Sequence, residues 1–302
     1  MNTLESPVAM LKRITDRRAF VKGLGLAGLG VAGANMMGCS SSPAMAASSR
    51  TDTAQQIFTA ALIAEDLATT FYYTGLTADA IIQDPNLAGA GGSATNVQAG
   101  GAVDDVGYIR AALAEEIMHA DLLRGLIGGS SASGDPVQTF FFPTGTFTSL
   151  ANWVGTLEAL ENAFIGAYMT AVQEFSMMVG NIAPYTSTQM DNMGHVYTSA
   201  QLVNFGKVCA SILGVESEHR ALGRALGSGN VIAGGSIPAN NLCYESTDGL
   251  TTVFNGSTSA VAALNPFVTA GASGFDPTAF SLSTAVAGAG AITLPCSGNP
   301  PM

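Results

Sequence analysis

Residues 115–122 read EEIMHADL and residues 216–222 read ESEHRAL, so Glu116/His119 and Glu216/His219 repeat one Glu-x-x-His spacing a hundred residues apart. The two pairs use two of the chain's three histidines. Side chains three positions apart on a helix share a face on adjacent turns, where a carboxylate and an imidazole can converge on one cation. Both pairs lie in segments of helical period. In residues 108–127, Ile109, Leu113, Glu116, Ala120 and Leu123 form one stripe; in residues 202–226, Val208, Ile212, Val215, His219 and Leu222 do the same. Each stripe otherwise reads as core, which places charged groups inside the fold. A single Glu-x-x-His often arises by chance, and a lone buried histidine is more often a hydrogen-bonded core residue than a ligand. Two pairs in matching helices point to a metal site.

Further ligands stand upstream of each pair. Residues 54–76 carry Glu65 among apolar neighbours, and residues 152–179 carry Glu161. A tyrosine follows each seven positions later, Tyr72 and Tyr168. Glu65 precedes Glu116 by 51 residues and Glu161 precedes Glu216 by 55, so the chain reads as two similar helical hairpins, as duplication would leave them. One Glu from each of two helices and a Glu-x-x-His from each of the other two is the ligand set of dinuclear carboxylate bundles. Tyr72 and Tyr168 read equally as hydrogen-bond partners of ligands or as ordinary core aromatics. Glu158, one turn before Glu161, is the weaker ligand candidate because it lacks the shared tyrosine spacing. Glu115 and Glu218 adjoin ligands and are expected to point about 100° away, to solvent or to Arg110 and Arg220. His195 reads as a surface residue.

On the segments EDLATTFYY at Glu65, EEIMHADL at Glu116/His119, ALENAFIGAY at Glu161 and ESEHRAL at Glu216/His219, the chain resembles the ferritin-like superfamily. More narrowly, it resembles the desiccation- or stress-related ferritin-like proteins. The resemblance covers about residues 52–228. It implies an all-α four-helix bundle binding two iron or manganese ions, with Glu116 and Glu216 bridging, Glu65 and Glu161 terminal, and one imidazole per metal. It does not choose the reaction, because ferroxidases, oxidases, catalases and reductases share this constellation.

Such bundles join their second and third helices by a crossover that runs the length of the bundle. Residues 128–147 contain Gly, Ser and two prolines without helical period. Twenty residues extend to roughly 60 Å, ample for a bundle of about 30–40 Å. The other joins are residues 85–101 and a polar turn at residues 181–194.

Residues 12–22, KRITDRRAFVK, resemble a twin-arginine export signal, with Arg17 and Arg18, one spacer, Phe20 and Lys22. Asp16 departs from the small polar residue usual there, and an ordinary secretory signal is the alternative. The apolar run that follows, residues 23–33, is too short and Gly-rich for a stable membrane span. Ala44-Met45-Ala46 resembles a signal-peptidase site, giving a mature chain from Ala47. Met36-Met37-Gly38-Cys39 is a rough lipobox that would instead acylate Cys39 and tether the protein to a membrane. The expected location is the periplasm or cell envelope, reached through the twin-arginine machinery, which carries folded proteins with cofactor already inserted.

Removing residues 1–46 takes five basic and two acidic residues from totals of 11 and 22, leaving 6 and 20 and a formal charge of −14. Such a chain excludes nucleic acid and anionic lipid as partners and attracts cations. Four of the carboxylates are the proposed ligands, whose charge two divalent ions cancel. A homo-oligomer is compatible with this composition.

Residues 229–302 are rich in Gly, Ser, Ala, Asn and Thr, with Glu245, Asp248 and Asp276 their only charged groups. An irregular extension packed on the bundle is expected, with disorder as the alternative; Thr251–Phe254 and Ala291–Leu294 could be short strands, and in an oxidising compartment Cys243 and Cys296 could form a disulfide worth about 2–4 kcal/mol. Cys209 reads as a core thiol. The leading functional expectation is metal redox chemistry on dioxygen or peroxide, as in a ferroxidase or peroxide scavenger. A manganese catalase is the enzymatic alternative, and a metal-stabilised, non-catalytic stress protein the other.

Overall fold

The computed structural model describes residues 52–87, 105–191, 193–226 and 243–290. The export signal, Cys39, Cys296 and the expected strand at residues 291–294 lie outside the described residues.

Four long helices form the bundle: α1 (Ala54–Thr77), α3 (Asp105–Leu126), α4 (Leu150–Gly180) and α5 (Ser199–Ala225), with a single turn of helix, α2 (Asp79–Ile82), after α1. Their starts are written locally. Thr53 and Gln56 form a capping box on α1, Thr198 and Gln201 form another on α5, and the Ser149 hydroxyl accepts from Asn152 N–H on α4. Asn181, in the left-handed region, ends α4. α1 pairs chiefly with α3, and α4 with α5, giving the two expected hairpins.

The two halves meet in a core where the Phe71 ring stacks on Trp153 at 5.2 Å and Tyr72 meets Trp153 edge-on at 6.0 Å. Gly75 makes this approach feasible, because a Cβ there would sit 2.4 Å from Trp153 Nε1. No helix among the described residues is long and apolar enough to cross a membrane.

The crossover between α3 and α4 is anchored by charge. Arg124 at the end of α3 donates through Nε to both Asp135 carboxylate oxygens, at 2.9 and 3.0 Å, and through Nη2 at 2.6 Å. The crossover also carries β1 (Thr139–Phe140), which pairs antiparallel with β2 (Phe280–Ser281) in the C-terminal segment, Thr139 opposite Ser281 and Phe140 opposite Phe280.

That segment is packed on the bundle and contains two short helices, α6 (Ala260–Val268) and α7 (Leu282–Ala289). Leu264, Leu282 and Ala289 join the main core. The expected strand at Thr251–Phe254 does not form. Two of its backbone donors go instead to buried carboxyl groups, Val253 N–H to Glu174 at 3.1 Å and Phe254 N–H to Asp52 at 2.6 Å, while Thr251 N–H donates to the Thr258 carbonyl at 3.1 Å. Only an isolated bridge, Thr252 to Ser259, remains. Cys209 is buried in α5 and Cys243 is exposed.

Candidate metal centre

Each bundle helix contributes to one buried cluster: Glu65 from α1, Glu116 and His119 from α3, Glu161 from α4, and Glu216 and His219 from α5. All six residues expected from the sequence meet. Their donor atoms fall into two overlapping groups, Glu65/Glu116/His119/Glu216 and Glu116/Glu161/Glu216/His219, each with its atoms within 4.8 Å of one another. Glu116 and Glu216 belong to both, the position a bridging carboxylate requires. His119 Nδ1 stands 3.3 Å from Glu65, 3.7 Å from Glu116 and 3.4 Å from Glu216. His219 Nδ1 stands 3.0 Å from Glu116, 3.3 Å from Glu216 and 3.9 Å from Glu161. Donors about 2.0–2.2 Å from a common ion lie roughly 3 Å from one another, so these spacings suit cations held between them.

Among the described residues, eight buried atoms here have no hydrogen-bond partner: one oxygen each of Glu65 and Glu161, both oxygens of Glu116 and Glu216, and Nδ1 of each of His119 and His219. Buried polar atoms are nearly always satisfied, and this many orphans facing one another are donors awaiting cations. Burial, reinforced by Glu216 and Glu116, pushes Glu65 well above the usual carboxylate range; burial and Glu216 do the same to Glu161. Burial also opposes ionisation of Glu116, yet the two imidazoles against it, His219 foremost, hold it below its ordinary value. Burial alone would depress both histidines, but Glu65 raises His119 and Glu116 raises His219. Without cations, protons must do the neutralising. Four carboxylates and two neutral imidazoles match the charge and the hard, borderline donor preference of two divalent iron or manganese ions.

Residues 53–182 match the ferritin-like domain family. No curated protein and no solved structure matches the chain. The match carries Glu65, Glu116, His119 and Glu161; Glu216 and His219 lie beyond it on α5, and the fold brings them in. The fold is all-α and ferritin-like.

Around the cluster the tyrosines cross over. Tyr72 on α1 donates to Glu161 Oε1 on α4 at 2.6 Å, and Tyr168 on α4 donates to Glu65 Oε1 on α1. Glu65 and Glu161 are thus each oriented by the tyrosine of the opposite hairpin, with the second oxygen left unpartnered among the described residues. Glu158 pairs with Arg224 Nε at 2.8 Å and belongs to neither donor group. Arg220 Nη1 donates to Asn162 at 2.8 Å, and its Nη2 to Glu245 of the C-terminal segment. Glu218 and His195 are exposed, the latter against Asp191 at 2.9 Å.

Glu115 overturns its sequence expectation. It meets neither solvent alone nor an arginine: Glu115 Oε2 accepts from His219 Nε2 at 2.8 Å. That bond fixes the proton on Nε2 and leaves Nδ1 to face the cluster. Helical arithmetic correctly turned Glu115 off the Glu116 face but could not see that α5 lies beside it.

Proposed function

We propose that the cluster holds two divalent iron or manganese ions, with Glu116 and Glu216 bridging, Glu65 and Glu161 terminal, and His119 and His219 one to each ion. The observation that carries this reading is the set of eight buried, unpartnered donor atoms shared between two overlapping groups. Bound there, such ions supply one- and two-electron chemistry toward dioxygen or peroxide, which makes ferroxidase-like or peroxide-scavenging activity the best-supported role. The chain's own part is positional. Tyr72 and Tyr168 fix the terminal carboxylates, Glu115 fixes the His219 tautomer, and the surrounding apolar core restricts water.

Elemental analysis of the purified protein should give close to two ions per chain. Glu116→Ala or Glu216→Ala should lower that sharply, because a bridging carboxylate serves both ions. One ion or none, unchanged by either substitution, sinks the site. Peroxide-dependent turnover by the loaded protein then separates a redox enzyme from a bundle that metals merely hold together.

The arginine pair in residues 12–22 supports export of the folded protein to the periplasm or envelope, consistent with a stress-protective role there. Arg17→Lys with Arg18→Lys keeps the positive charge an ordinary secretory signal needs and removes the guanidinium pair. The double variant should leave metal-containing precursor in the cytoplasm. Mature protein in the envelope at the wild-type level would refute twin-arginine export.

A further inference from the structure

The first half of α1 and the middle of α4 do not close on each other. Between them lies a cavity of about 280 Å³, walled by Ala60 and Ala64 of α1, Ala163 and Ala167 of α4, and Leu264 and Phe267 of α6. The cause is side-chain size: alanines on both facing helices keep the backbones from being bridged, and the C-terminal segment roofs the gap that remains.

The chemistry of the walls is uniform. Among the described residues no charged side chain lines the cavity, and the two hydroxyl-bearing ones that do are committed elsewhere. Tyr168 donates to Glu65, and Thr156 donates to the Asn152 carbonyl at 3.1 Å and stands 3.2 Å from the Thr146 hydroxyl. Water entering such a space finds no partners. Protein interiors carry few voids larger than a water molecule, and one of this size left empty sacrifices packing on every wall. A carboxylate or ammonium group would be stranded there without a counter-charge.

We propose that this cavity is a binding site for a neutral, hydrocarbon-like small molecule. A cavity of about 150 Å³ takes one benzene ring, so this volume admits a molecule of roughly ten or eleven carbons. Tyr168 is the wall the pocket shares with the cluster, so a bound molecule lies against the residue that orients Glu65. The assignment stands on the cavity alone and does not depend on the metal reading.

Naphthalene, a neutral ten-carbon probe with its own fluorescence, tests it against 2-naphthoate, the same rings bearing a carboxylate. The full chain, with its metals and after chelation, should bind one naphthalene saturably in both states, and 2-naphthoate at least tenfold more weakly. Ala163→Phe should abolish binding by filling the space, while Ala167→Met, a milder filling, should weaken it with an unchanged or raised thermal midpoint and unaltered metal content. If Ala163→Phe fails to fold, Ala167→Met decides. The proposal is overturned by absence of saturable binding to the wild type, by equal affinity for the carboxylate, or by undiminished binding in the folded variants. Loss of the metal site with naphthalene binding intact would count against the metal reading alone.

Discussion

His219 is gripped from two sides: Nδ1 faces Glu116 and Glu216, and Nε2 donates to Glu115 at 2.8 Å. A carboxylate behind a ligating imidazole fixes its orientation and raises its basicity, and losing such a partner typically lowers metal affinity about 10- to 100-fold. Glu115→Ala should show a loss in that range in competition with a chelator, whereas Glu218→Ala, exposed one residue from His219, should not. Equal affinities for the two variants would remove Glu115 from the site. In the second hairpin Val215 stands where Glu115 stands in the first and offers no acceptor, so the duplication visible in the ligands does not extend to their support. The tyrosine spacing favours Glu161 over Glu158, and the structure gives Glu158 to Arg224. The spacing could not reveal that each tyrosine serves the glutamate of the other hairpin, because seven residues along one helix say nothing about the helix opposite.

At the scale of elements, the C-terminal segment is pinned to the bundle by two buried carboxylates. Glu174 of α4 accepts from the Tyr185 hydroxyl and from Val253 N–H, while Asp52, ahead of α1, accepts from Phe254 N–H at 2.6 Å, Asn255 N–H at 2.9 Å and the Asn255 amide at 2.8 Å. Burial first, and the neighbouring Asp52 second, push Glu174 up to about 9. The folded state therefore keeps a proton on Glu174 that the unfolded chain releases near pH 4.5, and by linkage its contribution to stability declines as pH rises from there to about 9. Glu174→Gln removes that titration. Thermal midpoints measured from pH 6 to pH 9 should fall less in Glu174→Gln than in the wild type; parallel curves would contradict the shift. The same pair of acidic side chains explains why Thr251–Phe254, β-prone in composition, is no strand: groups over 70 residues away in sequence take the donors of Val253 and Phe254.

For the whole molecule, the cluster makes stability depend on what is bound. An ion that binds only the native state adds RT ln(1 + [L]/Kd), about 4 kcal/mol at a thousandfold excess over Kd. Chelated protein should unfold at a lower temperature than protein with its metals restored, and identical midpoints would show that the cluster holds no ion. The capped helix starts, the two hairpins and the long crossover all agree with one another, which is the consistency that lets a chain specify a single fold.

The sequence by itself determined the all-α bundle, its four helices to within three residues at each end, and the six residues that meet at its centre. Those signals are local: the 3.6-residue period and the repeated Glu-x-x-His spacing are each confined to one helix. Tertiary structure alone decided the crossed tyrosine pairs, the Glu115 support of His219, the carboxylate pins on the C-terminal segment and the apolar cavity between α1 and α4. Each of these depends on which helix lies beside which, and on the distance at which small side chains leave two backbones standing. No periodicity along a single helix carries that information.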